Sequence, residues 1–202
     1  MEPIKSPYYA QIELTDHCNL SCKHCYNECR PNNSKKKVMS KNNLDTILRK
    51  LVQEDIFSIT LTGGEVFTDK SLLYYAIKQI KENNVHLTIN SNLTLITKED
   101  ADFFERHHVD GIMGSINSYN ASTHDKITQI RGAFAKTKDG VRILKDAGMF
   151  LSINMVVSKI NLDDVYETGK YVKKIGANSF DASPVVPSLY IRDSQEEFCL
   201  DK

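Results

Sequence analysis

The spacing of apolar residues along this chain switches repeatedly between a period of two and a period near four. Tyr8, Ala10, Ile12 and Leu14 alternate with Gln11 and Glu13, which predicts a half-buried first strand. After a polar stretch, Ser40 offers a helix cap, and Leu44, Ile47, Leu48, Leu51 and Val52 repeat at helical spacing. Phe57 to Leu61 predicts the second strand, ended by Gly63 and Gly64. Leu72, Leu73, Ala76, Ile77 and Ile80 form the stripe of the second helix. The unit then recurs. His86 to Asn90 reads as strand three, Thr97 with Asp100 as a capping pair for helix three, and Val109 to Ile116 as strand four. A polar loop follows, then a fourth helix from about Thr137 to Ala147 that stops at Gly148. Phe150 to Val157 is a β-branched fifth strand, Asn161 caps helix five, Gly176 ends it, and Ser179 to Ser183 is strand six.

Alternation of six strands with five helices predicts an α/β fold of parallel strands with helices outside, because each parallel return needs a right-handed crossover. An open sheet and a curved partial barrel both fit this pattern. Pro184 and Pro187 close the regular region, and the tail shows no completed sixth helix. Residues 1–184 are therefore expected to form one domain, with 185–202 a tail that starts a further extension.

The chain has 202 residues, enough for one substantial core. Lys plus Arg equal Asp plus Glu at 26 each, so no overall field directs it to nucleic acid or a membrane surface. Lys35 to Lys37 reads as a solvated loop. Met1 to Pro7 lacks the apolar core of a secretory signal, and no run of roughly 18 uncharged apolar residues occurs. A soluble, cytoplasmic protein is expected. There, cysteines stay reduced, and four of the five crowd into residues 18 to 29.

Cys18, Cys22 and Cys25 lie on one loop after the first strand. Three thiolates can hold three corners of a cubane iron–sulfur cluster and leave a fourth iron open to a ligand. The alternative is a structural zinc site completed by Cys29, although zinc sites usually join two close cysteines to two distant ligands. Cys29 and Cys199 otherwise read as incidental thiols. The segment Cys18-Asn19-Leu20-Ser21-Cys22-Lys23-His24-Cys25-Tyr26 resembles the signature of the radical S-adenosylmethionine (SAM) superfamily, with His24 at its aromatic position. The resemblance implies a partial (β/α)6 barrel, a [4Fe-4S] cluster on Cys18, Cys22 and Cys25, and SAM chelated to the open iron.

Further segments extend the resemblance, although Gly63-Gly64-Glu65 and Asn90-Ser91-Asn92 also read as ordinary turns and Arg131 as a solvated loop residue. Gly63 and Gly64 let backbone come close to a ligand, and a carboxylate after a strand can accept from an ammonium. Gly63-Gly64-Glu65 thus resembles the superfamily's amine-binding motif, with Val66 where proline is common. Asn90-Ser91-Asn92 resembles its Thr-Asn-Gly, with Leu93 replacing glycine. Ser115-Ile116-Asn117 stands in place of Ser-Leu-Asp, which makes Ser115 a candidate contact for the cofactor's carboxylate or ribose. His124-Asp125, Arg131-Gly132-Ala133-Phe134 and Gly140 to Gly148 resemble the peptide-modifying SPASM group. Arg131 would pair with the methionyl carboxylate. Asn154 and Ser183 would line the adenosine pocket. The cofactor set is thus Gly63, Gly64, Glu65, Asn92, Ser115, Arg131 and Asn154, and no residue is singled out as catalytic. The resemblance implies a radical SAM enzyme acting on a peptide or protein side chain, served by an electron donor such as flavodoxin or ferredoxin. The competing readings are a zinc-stabilised binding module and a truncated or degenerate barrel without catalysis.

Overall fold

A computed structural model describes residues 7–26, 37–186 and 195–200. Six strands, β1 (Tyr9–Glu13), β2 (Ser58–Thr62), β3 (His86–Ser91), β4 (Gly111–Ser115), β5 (Leu151–Val157) and β6 (Ser179–Pro184), form one sheet. All adjacent pairs are parallel, and their spatial order is their chain order, 1-2-3-4-5-6. Doubly wound sheets reverse direction once and so carry helices on both faces. Here the order never reverses, and right-handed crossovers place every helix on the same face. The sheet curls away from them into a partial barrel with β1 and β6 as its edges.

The intervening helices are α1 (Lys41–Gln53), α2 (Lys70–Glu82), α3 (Lys98–Arg106), α4 (Ala121–Thr128), α5 (Ala133–Asp146) and α6 (Val165–Lys174). Their apolar stripes meet the convex side of the sheet, where Ile59, Leu61, Leu87, Ile89, Leu151 and Ile153 are fully buried with Leu44, Leu73, Ile77, Phe104 and Leu144. Helix starts follow local chemistry. Ser40 accepts from the Asn43 amide at α1, and Thr97 with Asp100 forms a reciprocal capping box at α3.

Three features differ from the sequence expectation. The polar stretch after β4 contains α4, and α5 begins at Ala133, four residues before the predicted start. Asn161 does not cap α6. Its side chain accepts from the Ser158 amide and donates to the carbonyls of Asn117 and Val156, clamping the ends of β4 and β5 together. In the tail, a short turn α7 (Gln195–Phe198) returns to the barrel, where the Phe198 carbonyl accepts from the Lys159 amide. Cys29, Lys35, Lys36 and Pro187 lie outside the described residues. Among the described residues, no helix is long and apolar enough to cross a membrane.

Candidate cluster and cofactor site

The loop carrying Cys18, Cys22 and Cys25 leaves the C-terminal end of β1, the end where parallel α/β folds gather their chemistry. It is held on both sides. On one side, the amides of Ser21 and Lys23 donate to the carbonyls of Thr128 and Ile127 at the end of α4. On the other, the amides of Gly64 and Glu65 donate to the carbonyls of Thr15 (2.7 Å) and His17 (2.6 Å). This second contact explains the glycine pair. A Cβ on Gly63 would stand 2.3 Å from the Thr15 oxygen, and one on Gly64 would stand 2.2 Å from that of His17.

Glu65 is 1 % exposed and turned into the protein. Its carboxylate accepts from the Phe67 amide, the Ser91 hydroxyl and the Asn92 amide. Burial pushes its carboxyl up to about 7, while these three donors pull the other way. The sequence assigned this carboxylate to an ammonium ligand, but in the fold it joins the ends of β2 and β3. The backbone of Gly63 and Gly64, by contrast, does line a cavity. Asn92 continues the chain of contacts. Its Nδ2 donates to Asn19 Oδ1 at 2.9 Å and points at Cys18 Sγ at 3.9 Å, and its Oδ1 accepts from Thr94. Leu93 adopts φ 66°, the left-handed conformation that the glycine of the resembled motif would take without strain.

The cavity measures about 390 Å³ and opens at the C-terminal ends of the strands. All three motif cysteines line it, together with His24, Asn92, Ser115, Asn117, His124, Asn154 and Ser183. Arg131 does not: it is exposed. Its turn is fixed by Asp125, which accepts from the amides of Gly132 (2.6 Å) and Phe134 (2.9 Å). The structure thus brings together every expected cofactor residue except Arg131 and the side chain of Glu65.

Burial, reinforced by the nearby Glu65 and Cys25, pushes the Cys18 thiol up to about 11. Burial and the two other cysteines push Cys22 up as well. Metal binding must therefore displace these protons, as thiolate coordination does generally. His24 is held at about 4 by burial and by His124, and His124 itself at about 4 by burial. Neutral His124 accepts from the Asn117 amide at Nδ1 (3.2 Å), which leaves its proton on Nε2. That Nε2 and the Asn117 Oδ1 are buried without a partner. Each such group costs about 1–3 kcal/mol until a ligand meets it. Sequence reasoning had given neither residue a binding role. The available signal was their place in the resembling segments Ser115-Ile116-Asn117 and His124-Asp125.

The donor set fits an iron–sulfur cubane with an organic cofactor beside it. Among the described residues, no three His, Cys, Asp or Glu side chains are placed to grip a single metal ion. The three cysteines that line one cavity are the ligand type a cubane takes, and the amides and hydroxyls beside them suit a polar cofactor. The sequence profile of the Radical SAM superfamily matches residues 12–172. This chain belongs to the radical SAM superfamily. Superfamily members use a [4Fe-4S] cluster and SAM. The chain is 29% identical over 178 residues to the antilisterial bacteriocin subtilosin biosynthesis protein AlbA of Bacillus subtilis, covering 86% of this chain and 38% of AlbA. It is equally 29% identical over 188 residues to the AdoMet-dependent heme synthase of Methanosarcina barkeri, covering 91% and 52%. Its fold matches Streptococcus suis SuiB bound to precursor peptide SuiA with a TM-score of 0.76 at 17% identity, covering 90% of this chain and 40% of SuiB. This radical SAM chain thus spans about half or less of the length of these relatives.

Proposed function

We propose that residues 1–184 are the catalytic barrel of a radical SAM enzyme that abstracts hydrogen from a peptide or protein side chain. The observation that carries the reading is the convergence of Cys18, Cys22 and Cys25 on one cavity with an unpaired buried donor and acceptor. The chemistry available when cluster and SAM are bound is one-electron cleavage of SAM to methionine and a 5′-deoxyadenosyl radical. The chain's own groups prepare it. Cys18, Cys22 and Cys25 hold the cluster, with Asn92 and the Leu20 amide directed at Cys18 Sγ. The backbone of Gly63 and Gly64 binds the amine end of the cofactor. Ser115 and Asn154 on the cavity wall bind its nucleoside end. The His124 Nε2–H donates to a cofactor or substrate oxygen. A concave wall and a half-buried loop limit water around the reacting carbon. The electron comes from a protein such as flavodoxin or ferredoxin.

The names of AlbA and of the SuiB–SuiA complex support a peptide as hydrogen donor. Anaerobic reconstitution tests the reading. About four irons per chain are expected, with formation of 5′-deoxyadenosine under dithionite. Cys18→Ala, Cys22→Ala and Cys25→Ala should each abolish that product. Undiminished product from any of them, or zinc in place of iron, would sink it.

A further inference from the structure

Side chains on the concave face of the sheet are those that alternate with the buried convex set. Gln11, Thr62, Asn90, Ser115, Asn154 and Ser183 mark this face, since all six line the cavity. Closed parallel barrels fill the equivalent positions with bulky branched residues. Here hydroxyls and amides replace most of them, Met113 and Val156 being apolar exceptions. Among the described residues, no strand contains a lysine or an arginine, although the chain has 26 of them.

Two carboxylates share this face of the sheet, one on each edge strand, beside the cavity lining rather than in it. Glu13 on β1 lies two residues from Gln11 on the same face and pairs in register with the cavity residue Thr62. Asp181 on β6 lies two residues from Ser183 and pairs with the cavity residue Asn154, which pairs in turn with Ser115. Both are exposed. Each is oriented by a hydroxyl: Tyr26 donates to Glu13 at 3.0 Å and Ser152 donates to Asp181 at 3.2 Å. The cavity they flank is a built site independently of them, because it holds the unpartnered Nε2 of His124 and Oδ1 of Asn117, 1 % and 2 % exposed.

We infer that Glu13 and Asp181 select a peptide substrate with a lysine or arginine beside the residue that loses hydrogen. This rests on the peptide reading above and narrows it. Two carboxylates flank the gap between the edge strands, and no described strand carries a cation to oppose them; Lys37, on the loop before α1, shares a separate surface pocket with Glu13. A substrate with carboxylate arms, such as a tetrapyrrole, would meet repulsion and no strand guanidinium. An ammonium or guanidinium borne on an extended segment would meet one carboxylate from either edge, while its backbone found the hydroxyls and amides between them.

The test uses the 202-residue chain with its cluster loaded. Blocked Gly/Ser peptides, identical except for a central Lys-Lys, Gln-Gln or Glu-Glu pair, are titrated by fluorescence anisotropy at low salt. Two exposed pairs predict that Lys-Lys binds about five- to tenfold tighter than Glu-Glu, with Gln-Gln between and the difference shrinking in salt. Glu13→Gln and Asp181→Asn should each lower the preference, and Asp181→Lys should invert it. Circular dichroism melts and cluster absorbance should confirm that the variants fold. Charge-blind binding, no binding of any peptide, or a preference that survives all three substitutions would overturn the inference. So would N-acetyl-lysinamide binding as tightly as the Lys-Lys peptide, which would point to a small amine. Formation of 5′-deoxyadenosine, measured on the same wild-type sample, separates the outcomes. Its absence strikes the radical reading, whereas charge-blind binding by active protein strikes only this one.

Discussion

Burial keeps His124 neutral, and that neutrality has a measurable cost in acid. Its pKa in the fold is about 4, below the ordinary 6.5. Below pH 6.5 the unfolded chain takes up the proton first, so stability is lost as pH falls through the window from 6.5 to 4. A shift of this size corresponds to about 3 kcal/mol once the window is crossed. His124→Asn keeps an acceptor for the Asn117 amide and removes the titration, so its melting temperature should fall less between pH 6.5 and 4 than that of the wild type. Equal slopes would show that His124 titrates normally. At this scale, the sequence revealed which residues gather but not always why. The cysteines were legible because their spacing is itself the chemistry. Gly63 and Gly64 were legible as a close approach, yet the surfaces that approach are two backbones, those of Thr15 and His17. Glu65 looked like a ligand for an ammonium because spacing cannot show which way a carboxylate turns.

Among the elements, α4 matters out of proportion to its length. Its last carbonyls accept from the amides of Ser21 and Lys23, so the thiol loop rests on it. Asn120 caps α4 by accepting from the Ser122 amide and hydroxyl. Asn120→Ala should cost about 1 kcal/mol, a drop of about 2–4 °C in melting temperature, and should hasten loss of the reconstituted cluster under a chelator. An unchanged cluster lifetime would show that the loop stands without α4. This helix was illegible because only three of its eight residues are buried, leaving no sustained stripe. The start of α5 was hidden for a related reason. Gly132 occupies its cap position at φ 83° and has no side chain to donate or accept. The capping oxygens come from Asp125, seven and nine residues upstream of the amides they bind. Local signals were reliable where the cap was local, as at Ser40 and Thr97.

For the molecule as a whole, strict alternation with sequential strand order fixed the architecture. Alternation alone could not choose between an open and a curled sheet, because strand order depends on pairing between distant residues; the resemblance carried by the cysteine segment chose the partial barrel that the fold has. The resulting sheet has a protected middle and two free margins, and every strand contact between β2 and β5 is flanked by neighbours on both sides. Hydrogen exchange should therefore be slowest in β3 and β4 and fastest in β6, whose residues are mostly exposed. Uniform protection across the six strands would contradict an open barrel. The middle of that sheet also contains a fitted trio. Leu93, fully buried after β3, enters space that Gly114 on β4 and Gly140 on α5 leave free: a Cβ at Gly114 would meet the Leu93 side chain at 2.3 Å, and one at Gly140 its carbonyl at 2.2 Å. The Leu93 side chain and position 114 thus share one volume, while Gly140 is kept small by a backbone carbonyl that any residue at 93 would present. Shortening residue 93 frees room for a larger residue at 114 but none at 140, whereas enlarging 114 first must displace the leucine, so the two substitutions are tolerated in one order and not the other.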